Sequence, residues 1–134
     1  MIPSAPRIRF ENVAVDFPTD RGPMRVLDGV SFDVHEGEFV SIIGPSGCGK
    51  TTILNIIGGF LMPTSGKVLL DDRPVDGPGP DRGVIFQEYG VFPWLTVRDN
   101  IEFGLKLSAS RIPPGERADV VARYMKLMGL ADFA

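Results

Sequence analysis

The chain has 134 residues, 43% of them hydrophobic and 23% charged, and carries a formal net charge of −3. That balance suits a globular chain with a core of its own and argues against a general nucleic-acid binder, while leaving room for a local basic patch. Its single cysteine, Cys48, excludes an intrachain disulfide and suits a reducing compartment, no apolar run is long enough for a membrane span, and the opening residues, with Pro3 and Pro6 close to Arg7, do not read as a secretion signal.

In chain order, the apolar positions Ile8, Phe10, Val13, Val15 and Phe17 predict a strand with an irregularity near Glu11 and Asn12. Residues 18–23, with Asp20, Arg21 and Gly22 between two prolines, predict a turn. Two short strands are expected next, one at Val26-Leu27 and one over 30–34, where Val30, Phe32 and Val34 alternate with polar residues. Residues 39–43, Phe-Val-Ser-Ile-Ile, read as a buried strand. A helix is predicted from Lys50, because Ile53, Leu54, Ile56 and Ile57 fall at helical spacing and Gly58-Gly59 stops the run. A further strand covers 66–70, Pro78-Gly79-Pro80 forms a rigid loop, and Val84, Ile85 and Phe86 make a second buried strand leading to Gln87. From Thr96 the character turns helical: Thr96 caps a helix through Leu107, and Pro113-Pro114-Gly115-Glu116 opens another that ends near Gly129. A β-rich and α/β region thus occupies 1–92, and a helical region 93–134.

Between the strand at 39–43 and the helix lies Gly44-Pro45-Ser46-Gly47-Cys48-Gly49-Lys50-Thr51. Every defined position of the phosphate-loop pattern G-x-x-x-x-G-K-[ST] is filled. Glycines keep Cβ atoms away, so consecutive backbone N–H groups can turn inward around phosphate oxygens. Lys50 adds a point charge for the β- and γ-phosphates of a nucleotide, and the Thr51 hydroxyl can ligate Mg²⁺. The order strand, glycine loop, helix aims the positive end of the helix dipole at the phosphates. A glycine-rich turn before a core helix is the competing reading, and the complete motif in its required context counts against it. Thr52 either adds a hydroxyl on the α-phosphate side or is a plain first-turn residue.

Downstream, Val84-Ile85-Phe86-Gln87-Glu88-Tyr89-Gly90-Val91-Phe92-Pro93-Trp94-Leu95-Thr96-Val97 closely resembles the ATP-binding subunits of ABC transporters. In that family a strand ends in the Q-loop glutamine, and an aromatic-proline segment then opens a helical subdomain. Here Gln87, Phe92-Pro93-Trp94-Leu95-Thr96-Val97 and Asn100-Ile101 match those parts. Leu27-Asp28-Gly29-Val30-Ser31-Phe32 and Pro63-Thr64-Ser65-Gly66-Lys67-Val68 extend the resemblance over nearly the whole chain. Pro78-Gly79-Pro80-Asp81-Arg82-Gly83 and Phe92-Pro93-Trp94 look most like importers of the nitrate, sulfonate and taurine group.

The resemblance implies an α/β phosphate-loop fold of the ABC ATPase type, with an antiparallel β subdomain and the start of a helical subdomain. It implies ATP and Mg²⁺ as cofactors. Gln87 would place its amide oxygen on Mg²⁺ or its water and sense the γ-phosphate, whereas the bland reading is a solvent-facing strand-end glutamine. Phe17 would stack on adenine, although an aromatic ending a strand is often simply core. Tyr89, Phe92 and Trp94 would line a groove for a short cytoplasmic helix of a transmembrane permease subunit, or form a satellite core under the helices. The full-length family pairs two ATP-binding subunits and works on the cytoplasmic face of the plasma membrane.

Two features read as decoys. Asp71-Asp72 after Val68-Leu69-Leu70 imitates an apolar strand ending in metal-binding and catalytic acids, yet Arg73-Pro74 predicts a hairpin turn. Asp72 stands where the family usually has Gly, so strain is expected there. His35 does not match the family's switch histidine and reads as a solvated surface residue. The signature motif, the Walker B aspartate, the adjacent glutamate and the switch histidine do not occur in these 134 residues. The expectation is a chain cut short, either as the ATP-binding half of an importer subunit or as a stand-alone nucleotide-binding module that competes for the permease. A small-molecule kinase is a third reading, disfavoured by Gln87 and the segment after it and by the lack of an arginine-rich lid.

Overall fold

Phe10 and Val13 lie three residues apart, so in a regular strand they would point to opposite faces. Both are buried on one core because the strand is bulged between them. A computed structural model, which describes residues 5–88, 90–107 and 110–133, divides into two compact units, 1–84 and 85–134.

In the first unit, β1 (Ile8–Thr19) pairs antiparallel with β2 (Gly22–Val34), and the register shifts between Phe10 and Val13, where Asn12 takes φ 48°. The extra residue's N–H is not wasted: it donates to Ser31 Oγ at 2.8 Å. β3 (Ser65–Leu70) lies on the other side of β1, and β4 (Arg73–Pro74) completes a sheet of order β2-β1-β3-β4. Gly66 of β3 faces the bulge with φ 80°, and a Cβ there would run into the Asn12 carbonyl. Only glycine meets both conditions.

Asp71 and Asp72 form the two-residue turn between β3 and β4, with φ 49° and 59°. Two left-handed residues in succession are the geometry of a primed hairpin turn, whose twist matches its strands. The hairpin reading therefore holds, and the expected strain at Asp72 is its positive φ. Arg7 pairs with Asp71 at 3.2 Å and Arg9 approaches Asp72 at 3.7 Å, so both carboxylates have cationic neighbours. His35 is half-buried at the end of β2, where Glu38 accepts its backbone N–H at 2.7 Å.

α1 (Lys50–Gly58) lays Ile56, with Ile53 and Ile57 beside it, on a core of Phe10, Val13, Val15, Leu27, Val68 and Leu70. Gly59 ends the helix in the left-handed conformation, φ 77°. In the second unit, α2 (Val97–Lys106) starts at Thr96, whose Oγ accepts the Asp99 N–H at 3.1 Å and donates to the Asp99 carboxylate at 2.8 Å. A 3-10 turn at Pro114–Glu116 leads into α3 (Arg117–Leu127), which buries Val121 and Met125.

Three expectations need correction. The turn near Pro18–Pro23 shrinks to Asp20 and Arg21, because the two prolines pair opposite one another at the tip of the hairpin. The two short strands after it are one 13-residue strand, β2, bent where Gly29 takes φ 64°. Residues 39–43 and 84–86 form no strand: Phe39 is 95% exposed, Ile43 91% and Ile85 100%. Among the described residues neither segment joins a strand ladder, and a run apolar on both faces needs a parallel neighbour to be held as a buried strand.

Gly66→Ala is expected to lower stability by about 1–3 kcal/mol through forced φ strain and displacement of the bulge. Urea unfolding of the two proteins checks this, and an unchanged midpoint would contradict the fit of Gly66 to the bulge.

Candidate phosphate site and aromatic groove

The phosphate loop is held by its glycines. Gly47 takes φ 81° and Gly49 takes φ 95°, both left-handed, so the chain can reverse sharply before α1. Gly49 is also buried: a Cβ there would lie 2.7 Å from Leu27 Cδ2 and 3.3 Å from the Val26 carbonyl oxygen. The second defined glycine of the motif is thus the point where the loop rests on β2. Gly44 approaches Cys48 so closely that a Cβ would meet Sγ at 2.7 Å, which closes the loop on itself.

Lys50, first residue of α1, turns its ammonium back into this ring. Nζ donates to the Gly44 carbonyl at 2.7 Å and the Pro45 carbonyl at 2.6 Å, and lies 3.6 Å from Cys48 Sγ. No side chain caps α1 at its N-terminus, and its first turn contains no acidic residue. First-turn N–H groups have no intrahelical acceptor, so this end of the helix presents donors and a positive dipole. A lysine charge and uncapped N–H groups around a glycine ring are what a phosphate group requires. Ser46, Cys48 and Thr51 are exposed, and Thr52 is half-buried. The donor set suits a hard cation next to a phosphate, because Thr51 supplies a hydroxyl oxygen.

Phe17 lies near the hairpin tip, opposite Met24, half-buried with part of its surface packed on the core. Next to it, Arg25 grips Asp16 with two bonds of 2.9 and 3.0 Å and reaches Asp28 at 2.9 Å. That hydrogen bond first, and the guanidinium charge besides, hold the Asp16 carboxyl below its usual range, while the Arg25 guanidinium is raised. The pair lies beside Phe17 near the hairpin tip.

Gln87 is exposed and belongs to the second unit, whereas the phosphate loop belongs to the first. Tyr89 lies outside the described residues. Phe92 packs against Phe103 with centroids 4.5 Å apart and against Trp94 at 5.4 Å, while Trp94 stays 76% exposed. An apolar groove of about 400 Å³ opens beside them, lined chiefly by Val91, Phe92, Leu95, Val97, Ile101 and Leu130.

Two polar anchors were not singled out as site residues from the sequence. Asn100 clamps the segment entering α2: its Oδ1 accepts the Phe92 N–H at 2.7 Å, and its Nδ2 donates to the carbonyls of Phe92, Leu95 and Thr96 at 3.0–3.2 Å. Arg82 binds the carbonyls of Ile57 and Gly77. The signal for Asn100 is its place four residues after the capping Thr96. For Arg82 no local signal exists, because its partners lie 25 and 5 residues away.

With this geometry in hand, comparison with known proteins is direct. The family model described as ABC transporter matches residues 27–134. A putative ATP-binding protein of Brucella abortus is 49% identical over 130 residues, which are 96% of this chain and 47% of that protein. The nitrate import ATP-binding protein of Synechococcus elongatus is 44% identical over 93% of this chain and 46% of its own length. That organism's bicarbonate transport ATP-binding protein is 40% identical over the whole chain and half of its own length. A dimeric ATP-binding cassette in a post-hydrolysis state, bound to ADP and Pi, superposes with a TM-score of 0.75 at 32% identity, over 91% of this chain and 57% of that one. The chain spans about half the length of the curated relatives it matches.

Lys50→Ala is expected to lower affinity for a fluorescent ATP analogue by about a hundredfold, and Phe17→Ala by about fivefold through lost stacking. Equal binding by wild type and Lys50→Ala would rule out the phosphate site. Saturating Mg·ATP should also slow alkylation of the exposed Cys48 thiol, and a labelling rate indifferent to nucleotide would contradict phosphate entry into this loop.

Proposed function

The chain belongs to the ABC transporter family, and from that premise we propose that residues 44–51 bind Mg·ATP as part of the energy-coupling component of an importer. The observation that carries this reading is the Lys50 ammonium held inside a left-handed glycine ring at the uncapped start of α1. Two backbone carbonyls occupy its protons in the structure. An arriving triphosphate offers the same ammonium charged oxygens, and charge-assisted bonds are about twice as strong as neutral ones. The first-turn N–H groups of α1 then find the acceptors that the helix cannot supply itself. Phe17 would take the adenine face, next to the paired Arg25 and Asp16 of the hairpin.

Thr51 and Gln87 would hold Mg²⁺ through a hydroxyl and an amide oxygen, and the ion would neutralise charge between the β- and γ-phosphates. The segment of Tyr89, Phe92 and Trp94 would receive a short cytoplasmic helix of a transmembrane permease subunit. The apolar groove beside Phe92 and the exposed Trp94 support that docking, since aromatic anchors bury much area with few rotors. Docking of this kind makes the protein a peripheral one on the cytoplasmic face of the membrane, and among the described residues no helix is long and apolar enough to cross it. Pairing with a second ATP-binding subunit is supported by the dimeric cassettes it superposes on. A nitrate-, sulfonate- or taurine-like solute is favoured by the nitrate import and bicarbonate transport relatives.

The 134-residue chain is expected to bind Mg·ATP without turning it over, because it contains no carboxylate for the metal and no group to orient water in the family's positions. Steady phosphate release that Lys50→Ala abolishes would contradict this. Asn100→Ala should weaken capture of a synthetic peptide of the permease's cytoplasmic helix by about tenfold, since four bonds to the 92–96 segment are lost. Unchanged capture in a titration would show that the groove is not the docking site.

A further inference from the structure

We propose that Met24 is a second base-contacting residue, which joins Phe17 in an apolar platform for the nucleobase of the nucleotide held by residues 44–51. The inference rests on the Mg·ATP reading above and adds a residue to that site. Platform and loop both lie in the first unit.

Strand register brings the two side chains together. Phe17 and Met24 are Cα partners on β1 and β2. Residues directly opposite one another in an antiparallel pair project from the same face of the sheet. That face is the inner one, because Phe17 follows Val15 by two residues and packs beside it on the core. On β2 the register shifts between Val15–Leu27 and Asp16–Arg25, which makes Val26 the extra residue. Leu27 and Met24 therefore share the inner face although three positions apart. Asp16 and Arg25 project from the opposite face, where they bind each other at 2.9 and 3.0 Å.

The glycine loop rests on the same inner face. Leu27 is the side chain that a Cβ on Gly49 would strike, and α1 sets Ile56 on the core shared by Val15 and Leu27. From Leu27 to Met24 the strand advances at most about 10 Å. The ribose of a nucleotide bridges a gap of that size between its phosphates and its base. Lys50 and the platform thus lie on one side of one sheet, at the two ends of a single ligand.

The two side chains offer different things to a base. Phe17 is half-buried and packed on the core, so its ring supplies a face of settled position. Met24 is 54% exposed. An exposed apolar residue is ordinary on a protein surface; Met24 differs in its place, beside an aromatic ring on the face that carries the loop. Its thioether is polarisable and unbranched, so it adapts to the edge of a ring stacked on its neighbour. Cross-strand partners stand about 5 Å apart, close enough for both to touch one base.

The test titrates wild type, Met24→Ala, Met24→Leu, Met24→Gln and Lys50→Ala with Mg·ATP and with inorganic tripolyphosphate, which has no base. Met24→Ala is expected to weaken Mg·ATP about fivefold and leave tripolyphosphate affinity unchanged. Met24→Leu keeps apolar surface and should stay within about twofold of wild type, whereas Met24→Gln keeps the length but adds polarity and should match Met24→Ala. If Met24→Ala does not fold, the contrast between the Leu and Gln variants carries the test. Unchanged Mg·ATP affinity in Met24→Gln, or an equal loss for both ligands, would overturn the proposal while leaving the phosphate site standing. Absence of Lys50-dependent binding of either ligand would overturn the Mg·ATP reading itself, and this inference with it.

Discussion

A Cβ at residue 49 has nowhere to go. Leu27 and the Val26 carbonyl occupy the space, and the backbone there is left-handed as well. This one contact seats the phosphate loop on β2 and fixes where α1 can begin. Because α1 begins there, Ile56 reaches the core formed by Phe10, Val13 and Leu27, and the uncapped N-terminus faces the ring closed by Gly44 and Cys48. Sheet, helix and glycine loop are one packing solution. The fold and the proposed phosphate site therefore share a residue that carries no functional group at all.

β1 to β4 form one antiparallel sheet, whereas residues 39–43 and 84–86 do not form ladders. The difference follows from strand chemistry. β1, β2 and β3 pair antiparallel with one another and carry surface ion pairs such as Lys67 with Glu11 at 2.9 Å, so their ladders need no strand from outside the sheet. A segment such as Phe-Val-Ser-Ile-Ile, apolar on both faces, needs cover on two sides and a parallel neighbour.

Polar side chains hold the irregular segments where no ladder can. Asn100 satisfies four backbone groups of the turn into α2, and Arg82 binds two carbonyls around the end of α1. Both bind backbone groups of segments that form no ladder, and the Phe92 N–H finds its acceptor in the Asn100 side chain. Each sits beside a segment that sequence alone marks as functional: Asn100 next to the aromatic groove, Arg82 five residues before Gln87. Preorganised loops of this kind hold side chains in place without a strand on either side.

Local rules were enough for much of this protein. The bulge near Asn12 was legible as a break in apolar alternation, the cap of α2 as Thr96, and the glycine loop as glycines at fixed spacing before a lysine. Each depends on neighbours within about four residues, a range over which residue type dictates φ, capping or periodicity. The strand reading of 39–43 and 84–86 failed because apolar content reports what a segment needs, while pairing depends on a distant strand being present. The joining of two short strands into β2, the burial of Gly49 on Leu27, and the partners of Arg82 were likewise decided by residues far off in the chain. Sequence by itself determined which residues make up the loop proposed to receive a phosphate. Only the tertiary structure decided what holds them in place, because packing contacts and long-range hydrogen bonds are not encoded in any local window.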